Sequence, residues 1–531
     1  MLTAHSANSG AAVDVNPASS IAAVARYQAD RVAIRYAGGD LNFAQLDDRA
    51  ARLAAVLADR GVGEGDRVAY LGLNSSAFLV TMFAAFRLGA IFVPINFRLA
   101  EAELGTVLAG SGAIAAVCEE GHRAVLDGVR RGSALRVLLL IDDDHQVPAT
   151  DPGGQWELWS PVLAAALPAG PPMARGFDEP AILMFTSGTT GSAKGVTLTY
   201  GNIWWNGINV DSRLDTRRGD VTHAVAPLFH IGGLNALALR TLVRGGTLVV
   251  RRSFDPPAFL RDLIEYEVNS FFAVPAMLTS LARVPELFDT TLPQLRTIVV
   301  AGAPVPPSLI ELYAAAHGIT LQQAWGLTET APFATHLPAE FTLTKVGSAG
   351  IAMPHTEVRV VHPSTNTSVP AGISGEIVVR GPNVTPGYWN NPKATAAAFD
   401  AEGWFHSGDI GYLDSDGFLY IVDRLKDMII SGGENVYPAE VESALADLPG
   451  LVDIGVVGTL DERWGETVAA VISCADGAQL TLEDLQQHAA DKLARYKLPR
   501  RLAIVKTVPR NASGKLDKIA IRRLIGEDPL P

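Results

Sequence analysis

Cysteine is nearly absent from this sequence. Cys118 and Cys474 are the two cysteines in 531 residues, which excludes a disulfide-built scaffold and a zinc or iron–sulfur site made of several cysteines. Positive charge is also in deficit, since 43 Lys and Arg stand against 56 Asp and Glu, giving a net charge of −13. A basic nucleic-acid-binding protein is therefore not expected. So few cysteines fit a reducing compartment, and we expect the cytoplasm.

Long apolar runs and targeting segments are scarce as well. The longest apolar run, residues 77–95, has about the length of a membrane span, but Arg87 lies in its middle and Pro94 closes it. We interpret it as a buried helix, a turn and a strand, and we expect no transmembrane segment. The N-terminus lacks the basic-then-apolar order of a secretory signal. Residues 1–17 are mostly small and polar and predict a loose terminus.

The composition is that of an ordinary folded protein, with 48% hydrophobic and 19% charged residues. Helix-like and strand-like stretches alternate as far as about residue 350, which is typical of α/β layers with largely parallel sheets. Short β-rich runs separated by Gly and Pro then predict a smaller β-subdomain. After Asp427 a compact α/β pattern begins, including a helix at residues 482–494. This last part predicts a separate domain of about 100 residues.

A segment rich in Gly, Ser and Thr follows a strand-like run. It reads Phe185-Thr186-Ser187-Gly188-Thr189-Thr190-Gly191-Ser192-Ala193-Lys194-Gly195. Glycines let backbone N–H groups approach phosphate oxygens, and hydroxyl groups and a lysine add donors and charge. The spacing is not that of a Walker A loop. By composition alone, a plain surface loop and a phosphate loop both remain open.

Five further blocks follow in order, and taken singly each has an ordinary interpretation as a core residue, a helix cap or a β-turn. The blocks are Ala226-Pro227-Leu228-Phe229-His230-Ile231-Gly232-Gly233, Gln323-Ala324-Trp325-Gly326-Leu327-Thr328-Glu329-Thr330, Gly403-Trp404-Phe405-His406-Ser407-Gly408-Asp409, Asp423 to Asn435, and Pro509-Arg510-Asn511-Ala512-Ser513-Gly514-Lys515. Together with the Gly/Ser/Thr segment, their order resembles the acyl-adenylate-forming superfamily, which includes acyl-CoA synthetases, adenylation domains and luciferases. The resemblance extends from Ser187 to Lys515.

The resemblance implies an ATP site. Trp325 would stack near adenine, Thr328 would bind the α-phosphate, and Asp409 and Arg424 would bind the ribose. Thr186 and Glu329 would hold Mg²⁺, which prefers oxygen ligands. The residues expected to bind ATP or AMP are Thr186, Ser187, Gly188, Thr189, Thr190, Gly191, Lys194, Ala303, Gln323, Ala324, Trp325, Gly326, Thr328, Asp409, Arg424 and Lys515.

The resemblance also implies a fold and a catalytic set. The expected α/β fold has a large N-terminal domain, residues 1–425, with layered α/β subdomains and a β-rich subdomain, and a small mobile C-terminal lid domain, residues 426–531, hinged near Lys426. Gly432 and Gly433 would let coenzyme A pass close to the backbone. Lys515, Thr328, Glu329 and His230 form the expected catalytic set. Adenylation brings a carboxylate to a phosphate, so a cation such as Lys515 would neutralise the developing charge.

The expected acyl pocket consists of His230, Ile231, Gly232, Gly233, Gly302 and Gly326. The two glycines after His230 are expected to leave the pocket wall open. Amino-acid-activating relatives usually carry Asp at the position of His230 to pair with the substrate amine, and a substrate ammonium would lack that partner here. A fatty or aryl carboxylic acid is therefore expected.

The predicted function is that of an AMP-forming, ATP-dependent acid–CoA ligase. A carboxylate and ATP would give acyl-AMP and pyrophosphate, and coenzyme A would then give acyl-CoA and AMP. Transfer to a carrier-protein thiol or an amine, luciferase-like oxidation of the adenylate, and a non-catalytic nucleotide-binding scaffold remain as alternatives. The expected partners are a small carboxylic acid, ATP and coenzyme A, and a homodimer is a candidate assembly.

Charge is unevenly distributed near the C-terminus. Residues 492–523 contain eleven Lys and Arg and one acidic residue, Asp517. This stretch is either a solvated helix face or a surface that meets a polyanion such as a triphosphate.

Overall fold

The computed structural model of the chain describes residues 13–144, 154–186, 193–431, 434–461, 464–511 and 514–526. The chain divides into two compact units. Unit 1 contains residues 1–358 and 379–405, and unit 2 contains residues 359–378 and 406–531. In the part of the chain that is described, no helix is both long and apolar enough to cross a membrane.

The elements alternate between strand and helix along most of the chain. The strands are β1 (Val32–Tyr36), β2 (Leu41–Asn42), β3 (Arg67–Leu71), β4 (Ile91–Ile95), β5 (Ala115–Cys118), β6 (Val137–Leu140), β7 (Glu157–Leu158), β8 (Pro180–Thr186), β9 (Lys194–Thr199), β10 (Val221–Ala224), β11 (Thr247–Val250), β12 (Ser270–Ala273), β13 (Thr297–Val300), β14 (Leu321–Gly326), β15 (Phe333–His336), β16 (Ile351–Ala352), β17 (Glu357–Val361), β18 (Gly375–Arg380), β19 (Gly387–Tyr388), β20 (Phe405–Leu413), β21 (Leu419–Arg424), β22 (Ile429–Ser431), β23 (Glu434–Val436), β24 (Leu451–Asp461), β25 (Gly465–Cys474) and β26 (Arg501–Ile504). The α-helices are α1 (Pro17–Tyr27), α2 (Phe43–Asp59), α3 (Ser76–Arg87), α4 (Glu101–Ser111), α5 (Glu120–Val129), α6 (Trp159–Ala165), α7 (Tyr200–Arg213), α8 (Ile231–Asn235), α9 (Ala238–Val243), α10 (Pro256–Glu265), α11 (Pro275–Leu281), α12 (Glu286–Asp289), α13 (Pro307–His317), α14 (Pro392–Ala398), α15 (Pro438–Leu445), α16 (Leu482–Ala489) and α17 (Lys518–Leu524).

The first sheet of unit 1 has eight strands in the order β19-β9-β8-β4-β3-β5-β6-β7. Strands β4, β3, β5 and β6 are parallel, while β9 pairs with β8 and β19 in antiparallel fashion. The apolar run at residues 77–95 supplies its buried centre. It forms α3, a turn and β4, as predicted, and the Ser75 hydroxyl accepts the Phe78 N–H to cap the helix.

The second sheet has nine strands in the order β16-β15-β14-β13-β12-β10-β11-β1-β2. Its strands β1, β11, β10, β12, β13 and β14 are parallel. Strand β1 comes from the N-terminus and pairs Ile34 with Leu248 of β11. The sequence analysis did not identify this pairing, because nothing near β1 in the sequence encodes a partner more than 200 residues away.

The N-terminal boundary differs from the prediction of a loose terminus over residues 1–17. Residues 1–12 lie outside the described residues, but residues 13–17 pack against the rest of unit 1. Val15 N–H donates to Arg175 O, and the buried Asn16 side chain donates to Phe86 O and Met173 O at 2.9 and 2.8 Å. Asn16 also caps α1 by accepting the Ala18 N–H, so residues 13–17 are not loose as predicted.

Unit 2 contains two sheets. A four-stranded sheet has the order β17-β18-β20-β21, and a five-stranded sheet has the order β23-β22-β25-β24 with β26 on β25. The five-stranded sheet packs against α15 and α16 in a separate hydrophobic core. The helix predicted at residues 482–494 ends at Ala489. Leu493 still packs into the same core after a turn, so the apolar spacing continues where the helix does not.

A buried ion pair joins the two sheets of unit 1. Arg252, which follows β11, donates to both carboxylate oxygens of Glu119 at the end of β5, at 2.9 and 2.7 Å. The Glu119 side chain is 2% exposed. Arg252 also donates to the Tyr36 hydroxyl of β1, which itself donates to Asp144 at 2.6 Å. Bidentate pairing satisfies the buried charges and fixes how the two sheets meet.

Arg252→Met should destabilise unit 1 by about 3 kcal/mol, because it leaves the Glu119 carboxylate buried without its cation. Urea unfolding followed by tryptophan fluorescence measures this loss, since seven of the eight tryptophans belong to unit 1.

Arg217→Met is the matched control. Arg217 pairs with Asp215 on the surface, where both side chains are about half exposed, so its unfolding midpoint should stay that of the wild type. Equal midpoints for both variants would contradict a joining role of the Glu119–Arg252 pair.

Candidate functional site

The predicted acyl residues, and the predicted nucleotide residues that follow β13 or end β14, gather at the carboxyl ends of parallel strands in the second sheet of unit 1. Strands β12, β13 and β14 are neighbours in register. Gly302 follows β13, and residues 323–326 form the end of β14. The block at residues 226–233 follows β10, a strand on the other side of β12. Ligands of open α/β sheets bind at this kind of edge.

The block at residues 226–233 is held to both sheets by amide side chains. Asn74 donates to Ala226 O at 3.0 Å and accepts the Leu228 N–H at 2.8 Å. At the other end, Asn235 donates to Ala331 O at 2.6 Å. His230 lies between them, half-buried, at the start of α8, and its ring centroid is 4.4 Å from that of Phe229.

The glycines of the predicted acyl pocket are required for close approach. A Cβ on Gly233 would lie 2.2 Å from Pro227 O, and one on Gly326 would lie 1.8 Å from Pro332 O. A Cβ on Gly232 would lie 2.7 Å from the Phe272 ring. The open wall predicted after His230 is therefore closed by backbone at Gly233, and Gly232 instead makes room for an aromatic ring.

The ends of the Gly/Ser/Thr segment form a hairpin. Strands β8 and β9 are antiparallel, and Thr186 pairs with Lys194 at the last position. Ser187, Gly188, Thr189, Thr190 and Gly191 lie outside the described residues. The Lys194 ammonium lies 5.1 Å from the centre of the Tyr388 ring.

Glu329 lies close to this hairpin, in a single 3₁₀ turn, Thr328–Thr330, that contacts β9. The Tyr388 hydroxyl donates to Glu329 Oε1 at 2.9 Å, and the Thr385 N–H donates to Glu329 O at 2.7 Å. Burial and the Glu329 carboxylate raise the pKa of Tyr388 well above its usual value, so the phenol stays protonated and donates. The sequence analysis missed Tyr388.

A short segment, residues 381–389, ties the hairpin to this turn. Asn383 donates to Thr330 O and Phe333 O at 2.8 and 2.9 Å. Thr385 donates from its hydroxyl to Thr197 O of β9. On the outer side, Asn202 of α7 donates to Val384 O at 2.9 Å. Buried amide and hydroxyl groups satisfied in this way fix backbone positions firmly.

The remaining predicted residues of unit 1 have mixed environments. Gln323, Ala324, Trp325 and Ile231 are buried, Thr328 is half-buried, and Gly302 and Ala303 are exposed. Gln323 Nε2 is buried without a hydrogen-bond partner, so it is available to donate to a polar ligand.

The donor set fits Mg²⁺ bound together with ATP. Among the described residues, no group of three or more His, Cys, Asp or Glu could hold a metal by itself. Glu329 supplies a carboxylate beside the hairpin. One or two carboxylates with substrate phosphates are what Mg²⁺ usually takes, so the residues fit a metal that arrives with the nucleotide.

The predicted ribose residues belong to unit 2. Asp409 of β20 pairs in register with Arg424 of β21, and Asp409 is 5% exposed. Its N–H donates to the Ser407 hydroxyl at 3.0 Å. Buried Glu376 accepts the Gly408 N–H at 3.2 Å, and one of its carboxylate oxygens lies 2.9 Å from His406 Nδ1, which holds the turn before Asp409.

The structure describes the backbone of the predicted hinge residue but not the predicted coenzyme A residues. Lys426 lies in a 3₁₀ turn, Leu425–Asp427. Gly432 and Gly433 lie outside the described residues.

Lys515 is exposed on a tight turn of unit 2. Asn511 accepts the Lys515 N–H with its side chain at 3.1 Å and donates its own N–H to Lys515 O at 2.8 Å. Arg510 anchors the turn through Asp453 at 2.9 Å, and Leu516 packs against a small core formed by residues such as Val457. These contacts hold Asn511 and Lys515 to each other and Arg510 and Leu516 to the rest of unit 2.

A cavity of about 530 Å³ lies in unit 2, and the sequence analysis did not identify it. It is lined by Ser431, Trp464, Gln486, Arg495, Tyr496, Leu498 and Arg500. The Arg500 guanidinium lies 4.7 Å from the centre of the Trp464 ring, and Arg500 Nη1 is buried without a partner. Aromatic faces and unpaired guanidinium nitrogens suit a nucleotide with phosphate groups.

The basic stretch at residues 492–523 is partly used for structure. Lys492, Lys497, Arg510 and Lys518 form ion pairs with Asp447, Glu440, Asp453 and Glu442. Arg495 and Arg500 line the cavity instead. The stretch is therefore neither a wholly solvated face nor a wholly ligand-binding one.

Comparisons with known proteins agree with the order of the motifs. The family description "AMP-binding enzyme" matches residues 21–389, and "AMP-binding enzyme C-terminal domain" matches residues 440–515. A feruloyl-CoA synthase from an Amycolatopsis species is 41% identical over 94% of this chain and 97% of that protein. An indoleacetate–CoA ligase from Aromatoleum aromaticum is 38% identical over 93% of this chain and 95% of that protein.

Solved structures match over nearly the whole length. O-succinylbenzoate coenzyme A synthetase from Bacillus subtilis, in complex with ATP and magnesium ion, gives a TM-score of 0.84 at 31% identity over 96% of this chain and 99% of that chain.

These findings confirm the predicted α/β fold with a large N-terminal and a smaller C-terminal domain. They also confirm the predicted reaction class, ATP-dependent ligation of a carboxylic acid to coenzyme A, for which ligases of this family use ATP, Mg²⁺ and coenzyme A. With a family model over most of its length and relatives at this identity, the chain belongs to the AMP-binding enzyme family.

Proposed function

We propose that this enzyme ligates an aryl carboxylic acid to coenzyme A. The observation that carries the choice of an aryl acid is the Phe272 ring, which lies against Gly232 at the predicted acyl wall and 6.5 Å from the Phe333 ring. Aromatic walls stack on flat substrates. The similarity to a feruloyl-CoA synthase and an indoleacetate–CoA ligase supports the same choice. Fatty acids are the second candidate.

In the proposed nucleotide site, Glu329 and Thr186 would hold Mg²⁺, and Lys194 would stabilise the phosphate loop. When bound, Mg²⁺ neutralises phosphate charge. Gln323 and Trp325 line the nucleotide pocket, and Asp409 with Arg424 binds the ribose, since one carboxylate can accept hydrogen bonds from both hydroxyl groups.

Lys515 is the proposed catalytic cation of the first half-reaction. A carboxylate oxygen attacks the α-phosphorus, the bond from that phosphorus to the bridging oxygen breaks, and pyrophosphate leaves. Negative charge grows where two anions meet, so an ammonium there lowers the barrier. In the second half-reaction, the thiol sulfur attacks the acyl carbon, AMP leaves, and the thiol proton passes to solvent.

The proposed acceptor site for coenzyme A is the 530 Å³ cavity of unit 2. Ser431, which lines it, directly precedes the predicted Gly432-Gly433 passage. A carrier-protein thiol or an amine would present no nucleotide to Trp464 and Arg500, so this cavity favours coenzyme A among the acceptors. Hinge motion at Lys426, a homodimer and a cytoplasmic location remain predictions.

Lys515→Ala should lower acyl-adenylate formation at least about 100-fold, as loss of one charge-stabilising group does, and should spare thioester formation from synthetic acyl-AMP. Pyrophosphate release and mass spectrometry of the thioester measure the two halves. Equal loss in both halves would refute the role of Lys515.

Gly232→Ala should push the Phe272 ring into the acyl pocket, because the new Cβ would stand 2.7 Å from it. The kcat/KM for aryl acids should fall about tenfold or more, and less for short aliphatic acids. Gly121→Ala, where a Cβ meets nothing within 4 Å, is the control. A parallel loss for aryl and short aliphatic acids would argue against the proposed wall.

Arg500→Gln should raise the KM for coenzyme A about tenfold, the worth of one charge-assisted contact, and leave pyrophosphate release unchanged. With pantetheine, which lacks the nucleotide, the variant should equal the wild type. Arg523→Gln, an exposed change on α17, is the control. An unaltered KM for coenzyme A would contradict the assignment of this cavity as the coenzyme A site.

A further inference from the structure

Tyr388 occupies a position between two opposite charges of the phosphate site. Its hydroxyl donates to Glu329 Oε1 at 2.9 Å, while its ring faces the Lys194 ammonium at 5.1 Å from the ring centre. Both contacts are electrostatically favourable, since a phenol donates to a carboxylate and a cation prefers the ring face. One side chain therefore contacts the metal carboxylate and the loop lysine together.

The backbone fixes where Tyr388 stands. Strand β19 pairs with β9 so that Tyr388 lies opposite Val196, two residues from Lys194 on the same face of the strand. The Trp389 N–H donates to Gly195 O at 2.8 Å on the next residue of β9. Tyr388 also opposes the turn of Glu329, whose backbone is held by Thr385. The hydroxyl distance is set by this framework and not by a mobile loop.

We propose that Tyr388 is a positioning residue for adenylation: its hydroxyl would hold the Glu329 carboxylate ready to bind Mg²⁺, and its ring would hold the Lys194 ammonium apart from that carboxylate. This inference rests on the proposed metal role of Glu329. Without the ring, the lysine and the carboxylate could pair with each other, and each would then be lost to the bound Mg·ATP.

Two substitutions separate the two contacts. Tyr388→Phe keeps the ring and removes the hydroxyl, so the Mg²⁺ concentration for half-maximal pyrophosphate release should rise about tenfold, the worth of a hydrogen bond to a charged group. Tyr388→Leu removes both contacts and should also raise the KM for ATP. In both variants, thioester formation from synthetic acyl-AMP should stay at the wild-type rate.

Calorimetry gives a readout that does not depend on turnover. Wild-type enzyme should bind ATP more tightly with Mg²⁺ than without it, and Tyr388→Phe should lose most of that gain. Tyr313→Phe is the matched control, because Tyr313 also donates a buried hydroxyl, to Leu278 O at 2.9 Å, but lies in a different core. Its Mg²⁺ dependence should be that of the wild type.

A double substitution tests the connection with Glu329. If the Tyr388 hydroxyl acts through that carboxylate, Glu329→Gln with Tyr388→Phe should be no worse in Mg²⁺ dependence than Glu329→Gln alone. Wild-type Mg²⁺ dependence in Tyr388→Phe, or equal loss of both half-reactions with a lower unfolding midpoint, would overturn the proposal. A wild-type enzyme whose ATP binding ignores Mg²⁺ would instead refute the metal role of Glu329.

Discussion

The candidate site of unit 1 depends on the hydrogen bonds made by residues 381–389. This segment carries no charged group of the proposed chemistry, yet it bonds to the phosphate hairpin through Thr385 and to the turn of Glu329 through Asn383. The hairpin belongs to one sheet and the turn follows the last parallel strand of the other. Since each contact uses a buried amide or hydroxyl group, a shift of one sheet would leave polar groups unsatisfied, which is costly. The two halves of the site are thereby held in one geometry.

That geometry lets opposite charges stand close without cancelling. On the proposed roles, the Lys194 ammonium and the Glu329 carboxylate both lie near the bound triphosphate, and in a partly buried site they would attract each other strongly. The Tyr388 ring face contacts the Lys194 ammonium, and the Tyr388 hydroxyl donates to the Glu329 carboxylate. Each charge is thereby partly stabilised without pairing with the other. Preorganised charges of this kind need little rearrangement when substrate arrives, which is how enzymes gain most from electrostatics.

The sequence predicted what is encoded locally and failed where partners are distant in the chain. The helix, turn and strand over residues 77–95 follow from an apolar run that Arg87 interrupts and Pro94 closes. The motif order predicted the family and the chemistry. Neither the pairing of β1 with β11 nor the contact of Tyr388 with Glu329 has a local signal, because each joins residues about 60 to more than 200 positions apart. The prediction of an open pocket wall at Gly233 was wrong, because this glycine is packed against the Pro227 backbone.

The two half-reactions need different positive charges at the α-phosphate, and the two lysines of the proposed mechanism lie in different units of the chain. Adenylation gains from positive charge against the α-phosphate, whereas thioester formation must release AMP, and a cation kept there would retain the product. Lys194 lies on the hairpin of unit 1, while Lys515 lies on a turn anchored inside unit 2 by Arg510 and by the packing of Leu516. Unit 2 has its own core, so its lysine is supported independently of the hairpin. On the proposed roles, Lys515 is the cation that adenylation alone needs. It lies in unit 2, which also contains the proposed coenzyme A cavity.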